Sequence, residues 1–504
     1  MILWLIWIAV IAGIVVGASV VALWSYGRFA RRARGGPSSA LPPGDDAPLD
    51  RVLAPLEAAH PGESGAALVM DNRAAFAQRM QSAHMARRGI DAMYYIWRDD
   101  LTGKLLAQAL LEAADRGVRV RLLLDDVNVL GRDPTYLALN SHPRIEVRLF
   151  NPIRTREGSF RRGIEMLLNL VRYNRRMHSK AWIVDGRVAL IGGRNVGDVY
   201  FDAATGRRRN VRDLDLVLAG AVLREAERVF DSYWNDGHAL PIAALWKKKR
   251  SDLTGFRARL AQHSRSALAR EWRALGAGEV PTALQLDTLR WTGTLRLVAD
   301  PPEKALGTGR RGWLPAALQP LLGGARDSLQ IMTPYFVPGG EGVQALVEAA
   351  EKGVQVSVVT NTLAVADHVT VHGAYRWYRK RLLAAGVHLH EVQARHEPRP
   401  MLHSKAFIVD RNLGFVGSFN FDLRSAFLNT EMGIVFDDPV LLRGLQEEFD
   451  RCRAPDQAFS LGLEGRFVTW QRDDGEALKL EPRTGAGRRT LSFVIGHLPI
   501  HRWL

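Results

Sequence analysis

The chain has 504 residues, a length that suits two or more domains with large cores. Lys and Arg number 68 against 53 Asp and Glu, a formal charge of +15, which favours a polyanionic partner, either a phospholipid surface or nucleic acid. Cys452 is the one cysteine, so an internal disulfide and a thiolate metal cluster are excluded.

From Met1 to Gly27 no side chain is charged, and the apolar run 2–24, with Trp4, Trp7 and Trp24 near its ends, is long enough to cross a bilayer core of about 30 Å. We read residues 1–27 as a transmembrane anchor rather than a cleaved signal peptide, because Arg28, Arg31, Arg32 and Arg34 follow the apolar run instead of preceding it. Positive charge on that side puts the rest of the chain in the cytoplasm. Residues 28–60 read as a basic stop and a flexible linker, the stretch 35–50 being rich in Pro, Gly, Ser and Asp, and globular structure is expected from about Gly62.

A strand over 90–96, a helix over 102–116 and a strand over 118–124 form a β-α-β unit, with Gly117 closing the helix. The string Leu111-Glu112-Ala113-Ala114-Asp115-Arg116-Gly117-Val118 is echoed 236 residues later by Val347-Glu348-Ala349-Ala350-Glu351-Lys352-Gly353-Val354. Repeated β-α units with parallel crossovers predict an α/β fold. Between 151 and 176, seven Arg meet two Glu, and Ile164, Leu167, Leu168 and Val171 follow helical spacing. That segment suits a basic amphipathic helix at a bilayer surface, or an ordinary helix packing its apolar stripe on the core.

His178-Ser179-Lys180 with Asp185 returns 225 residues later as His403-Ser404-Lys405 with Asp410, two copies of an HxKxxxxD motif. In extended backbone alternate side chains share a face, so each His stands beside its Lys. A lone copy would mean little; two with the same flanks point to catalysis. Asp185-Gly186 reads as a hairpin turn, so the two aspartates suit turn or supporting roles even where they are counted with the catalytic set. The match continues through Gly192-Gly193-Arg194-Asn195 and Gly417-Ser418-Phe419-Asn420, giving each half an Asn for substrate binding. Asp213 and Glu431 each precede an apolar strand, and either acid could orient an imidazole through its second nitrogen.

These motifs resemble the phospholipase D superfamily, whose members pair two such motifs at one active site between similar halves. Tyr94-Tyr95-Ile96-Trp97, Arg148-Leu149-Phe150-Asn151-Pro152, Asn174-Arg175-Arg176-Met177-His178, Pro334-Tyr335-Phe336-Val337-Pro338 and the closing Leu498-Pro499-Ile500 with Trp503-Leu504 resemble bacterial cardiolipin synthases of the C type. The resemblance implies two pseudo-symmetric halves with mixed sheets, expected at 61–240 and 291–465. A basic connector at 241–290 joins them; its stretch 245–275, which includes Lys247-Lys248-Lys249-Arg250, suits either a lipid surface or a solvated helix. A tail follows at 466–504. It implies His178 as nucleophile and His403 as acid/base, although the symmetry allows the reverse, with Lys180 and Lys405 on the phosphate and no metal or cofactor. The implied substrates are phosphatidylglycerol and phosphatidylethanolamine at a bacterial inner membrane. Release of phosphatidic acid by hydrolysis, a membrane-attached nuclease, and a lipid-binding protein without turnover are the rival readings, and the anchor weighs against nucleic acid as a partner. The stretch 361–376, with Asp367, His372 and Tyr375, reads as a contact for the acceptor or as a plain loop.

Overall fold

The computed structural model describes residues 2–206, 209–246, 252–278, 282–393, 401–471 and 475–497. The apolar start forms one helix, Ile2–Ala33, in which Leu3–Ala33 is long and apolar enough to cross a membrane, with its most apolar window unburied by protein. At about 1.5 Å per residue it outruns a bilayer core, so its last turns are free to meet the enzyme, where Tyr26 and Ala30 are buried.

The stretch expected to be a flexible linker is docked instead. The amides of Ser38 and Ala40 donate to Asn235 Oδ1 at 3.0 Å and Asp231 Oδ2 at 2.9 Å, and the guanidiniums of Arg121 and Arg187 donate to the carbonyls of Ser38 and Gly44. Composition suggested mobility because Pro and Gly form no regular element, but arginines on the folded body satisfy the bare carbonyls. The helix Pro48–Ala59 follows, so ordered structure precedes Gly62. Its Asp50 is fully buried and accepts from Arg88 at 2.6 Å and Arg187 at 2.8 Å.

Two large sheets carry the same six-strand plan. In the first the order is Asp215–Gly220, Val188–Gly192, Ala181–Val184, Gly89–Tyr94, Arg119–Asp125, Ile145–Phe150; in the second it is Met432–Phe436, Leu413–Gly417, Ala406–Val409, Ser328–Met332, Gln355–Asn361, His388–Val392. Within each sheet the last three strands run parallel and the others antiparallel. The mixed α/β class and the internal repeat are therefore both present. Alternate residues split between two cores: Ala181 and Ile183 face a core shared with Ala406 and Ile408 of the other half, while Trp182 and Val184 face the first half's own helices. The helices Val222–Trp234 and Pro439–Arg453 fill this shared core with Phe230, Trp234, Leu445 and Phe449.

Edges differ from the expected boundaries. Arg290–Thr292 pairs with Ser64 to Ala66 of the first sheet before Arg296–Ala299 opens the second, and the tail strands Phe467–Gln471 and Ala477–Leu478 extend the second sheet. Antiparallel return through Gly465 explains the last point, since its φ of +56° admits a tight turn. Lys247 to Arg250 and the closing 498–504 lie outside the described residues.

Asp50 offers a direct check on the docked linker. Against the upward pull of burial, Arg88 and Arg187 hold its carboxyl down at about 2. This stabilisation is complete above the unfolded carboxylate range near pH 4 and is lost as pH falls toward about 2. We expect Asp50→Asn to cost about 3 kcal/mol near neutral pH, read as a lower thermal midpoint of the full chain in detergent, with the gap to wild type closing at acid pH.

Candidate active site

Each HxK segment runs extended just ahead of its strand and pairs with backbone of the other half. The His178 amide donates to Thr430 O at 2.9 Å, and the Thr430 amide donates to Arg176 O at 2.9 Å. In the symmetry-related place, Met401–Leu402 pairs in parallel with Val211–Arg212, and the His403 amide donates to Arg212 O at 2.8 Å. This pairing delivers each histidine to the carboxylate that follows the partner strand. His178 Nδ1 lies 2.8 Å from Glu431 Oε2, and His403 Nδ1 lies 2.5 Å from Asp213 Oδ2. With Nδ1 engaged, each imidazole keeps Nε2 for other chemistry.

An aromatic ring edge supports each imidazole: Tyr95 at 5.0 Å from His178 and Tyr200 at 5.4 Å from His403, centroid to centroid. Lys180 and Lys405 are buried and donate to the carbonyls of His178 and His403 respectively, and Lys405 Nζ also lies 2.8 Å from His403 Nδ1. The other expected site residues divide. Asn195 accepts from the Ile96 amide and donates to the Tyr200 hydroxyl, so it braces the Tyr200 side of the site, whereas Asn420 has a buried amide oxygen without a partner among the described residues.

Asp185 and Asp410, counted with the catalytic set, do not join the imidazoles. Asp185 accepts from the amides of Arg87, Arg88 and Gly89, and Asp410 from those of Arg326, Asp327 and Ser328. Both have positive φ, 54° and 49°, and they fasten the hairpin turns to the starts of the central strands. This is the turn role that Asp185-Gly186 suggested in the sequence. Of the three residues expected to meet an acceptor, His372 and Tyr375 lie in the helix Val369–Ala384 and are buried beside Arg379 and Phe336, whereas Asp367, which accepts from the Tyr335 hydroxyl at 2.8 Å, is exposed.

The family model described as "Cardiolipin synthase, PLD-like domain" matches residues 77–234 and 318–453. Cardiolipin synthase C of Escherichia coli is 37 % identical over 480 residues, covering 90 % of this chain and 99 % of that protein. The chain belongs to the cardiolipin synthase family of phospholipase D-like proteins. Cardiolipin synthase 2 of Bacillus anthracis is 28 % identical over 367 residues, 72 % of this chain and 60 % of that protein. Phosphatidylserine synthase of Haemophilus influenzae shares the fold, with a TM-score of 0.59 and 14 % identity over 87 % of this chain and 94 % of that one. Membership makes this chain a phospholipid phosphatidyltransferase with two phospholipase D-like halves.

Two features of this family member were missed in the sequence. The exchange of carboxylates between halves leaves no mark in spacing. The second feature does leave one, at Gly193-Arg194 against Ser418-Phe419 between the matching Gly and Asn. Ser418 and Ser425 hydroxyls donate to Glu431 at 2.5 and 2.7 Å. At the equivalent of Ser418, a Cβ on Gly193 would stand 2.1 Å from Asp213 Oδ1, so only glycine leaves that carboxylate its place.

The two pairs also differ in their electrostatic surroundings. Burial, then Lys180, Lys405 and His403, push the His178 imidazole well below the ordinary range. Burial and Lys405 also lower His403, but Asp213 opposes them. Burial raises Glu431 despite Lys180 and its two serines, whereas Lys405 and His403 overcome burial to hold Asp213 low. Burial brings Lys180 down to about 7 and Lys405 to about 8. Both lysines are charged below those values and lose charge as pH rises through them, so we expect a soluble phosphodiester of fixed charge, such as diethyl phosphate, to bind progressively more weakly from about pH 7 to above pH 8. Calorimetric titration checks this, and affinity unchanged across that interval would contradict it.

Proposed function

We propose that the site transfers a phosphatidyl group from phosphatidylglycerol or phosphatidylethanolamine to phosphatidylglycerol through a phosphohistidine. The observation that carries the reading is the pair of imidazoles, each fixed through Nδ1 by a buried carboxylate of the opposite half, with two buried ammonium groups beside them.

A phosphodiester is an anion that repels anionic nucleophiles, so a neutral nitrogen is the suitable attacker and nearby cations the suitable partners for the non-bridging oxygens. His178, more strongly depressed, presents an Nε2 lone pair to phosphorus. As the P–N bond forms, the bond from phosphorus to the headgroup oxygen breaks and His403 gives that oxygen its Nε2 proton. In the second half-reaction the acceptor hydroxyl loses its proton to His403, its oxygen bonds to phosphorus, and the P–N bond breaks. Lys180 and Lys405, and Asn420 from the second half, hold the phosphoryl oxygens, and Asn195 supports them by bracing Tyr200 against His403. Asp213 keeps its partner imidazolium paired, and Glu431, its charge shared with Ser418 and Ser425, leaves His178 closer to neutral. None of these steps calls on a metal or cofactor.

Arg28, Arg31, Arg32 and Arg34 beyond the apolar helix support a single-pass anchor with the catalytic part on the cytoplasmic face of the inner membrane. Delivery of both lipids from the bilayer plane favours an alcohol acceptor over water.

The test reconstitutes the full chain in vesicles with headgroup-labelled phosphatidylglycerol, with and without labelled phosphatidylethanolamine. Cardiolipin is the expected product, with release of glycerol or ethanolamine naming the donor. His178→Ala and His403→Ala are each expected to lower the rate by about 10³-fold or more. Phosphatidic acid as sole product would contradict transfer.

A further inference from the structure

The N-terminal helix meets the first half across a cleft of about 510 Å³ whose lining includes none of the imidazole cluster. Arg31 and Arg34 enter it from the helix end, Arg172 and Arg175 from the segment ahead of His178, and among the described residues no acid lines it. A cleft of this size accepts a glycerophosphate headgroup.

Arg172 is the most buried of these four arginines. It is 7 % exposed and stacks on the Tyr26 ring at 3.6 Å from the centroid. Its Nη1 donates to Asn151 Oδ1 and Pro152 O. Its Nε and Nη2 and the Tyr26 hydroxyl are buried with no hydrogen-bond partner among the described residues. A buried cation with two idle donors is costly unless an acceptor completes it. Phosphate oxygens match the Nε/Nη2 edge of a guanidinium in spacing and charge.

The position of the cleft selects the source of that phosphate. Leu23, Val171 and Leu306 on its rim are exposed, and the helix Ser159–Leu168 nearby buries none of its residues while showing Phe160, Ile164 and Leu167 outward. Arg154 lies over the Phe29 ring, which ties that basic segment to the anchor. The membrane-spanning part of the helix thus sets the cleft at headgroup level, where phospholipid phosphates are concentrated.

We infer that this cleft holds the phosphate of an anionic phospholipid as a second, non-reacting lipid site between the anchor and the catalytic body. It needs no turnover, so its fate is separate from that of the transfer reaction.

The test places the full chain in phosphatidylcholine nanodiscs doped with phosphatidylglycerol bearing a photo-crosslinker in its headgroup, irradiates on ice, and maps adducts by peptide mass spectrometry. We expect adducts within residues 23–34 and 171–175, suppressed by unlabelled phosphatidylglycerol and reduced about tenfold by Arg172→Gln. The double variant Arg31→Gln, Arg34→Gln, at exposed positions, is expected to give a comparable loss and covers the case in which Arg172→Gln does not fold. Labelling unchanged in the variants, or equal from a phosphatidylcholine probe of the same design, would overturn the site. Competition by inorganic phosphate or glycerol phosphate as strong as by the lipid would assign a soluble anion and overturn the lipid source.

Discussion

Everything at the centre of this protein depends on an exchange: His178 of the first half is held by Glu431 of the second, and His403 of the second by Asp213 of the first. The exchange is built into the backbone, because the residue before each carboxylate segment pairs with the strand leading to the opposite histidine. A shared apolar core beneath, with Ile183 and Ile408 drawn from matching positions, sets the two sheets in the register that this pairing requires. Neither half alone supplies an imidazole with its carboxylate. Duplication therefore provides a complete site rather than two independent ones.

Burial gives the exchange its chemical effect. Two lysines, two carboxylates and two imidazoles lie in one buried cluster, where charges act strongly on each other and any unpaired one is expensive. In the proposed reaction an anionic phosphodiester is met by Lys180 and Lys405, which burial brings down to about 7 and about 8. The pseudo-symmetry is broken where it matters for protons. Ser418 and Ser425 draw on the charge of Glu431, while Gly193 leaves Asp213 space and no hydroxyl. Two differences between the repeated flanks, Gly193-Arg194 against Ser418-Phe419, thus give the two carboxylates unlike surroundings: Arg194 helps to hold Asp213 low, while two serine hydroxyls bind Glu431.

Much of this was legible in the chain itself. The offsets between Gly117 and Gly353 and between His178 and His403 gave the repeat, and the six-strand plan of each sheet follows the β-α units that those landmarks bracket. The apolar start reads directly as a helix because twenty-odd uncharged residues have few other soluble or membrane fates. What stayed hidden was tertiary. The docking of residues 36–44 depends on Arg121 and Arg148 arriving from distant strands and on Arg187 from a distant hairpin turn. Asp213 and Glu431 were read as orienting groups, yet nothing in linear spacing says that each serves the other half's histidine. Asp185 and Asp410 travel with the motif because its strand must turn sharply and be fastened, so proximity in sequence overstated their nearness to the chemistry.

The unequal pairing of the two histidines is tested most directly by quenching the full chain in acid-free denaturant during turnover of labelled phosphatidylglycerol and locating the covalent phosphoryl group by mass spectrometry. The account requires the adduct on His178, whose imidazole is the more depressed and whose carboxylate is the more shared. An adduct on His403, or turnover with no histidine adduct at all, would contradict it.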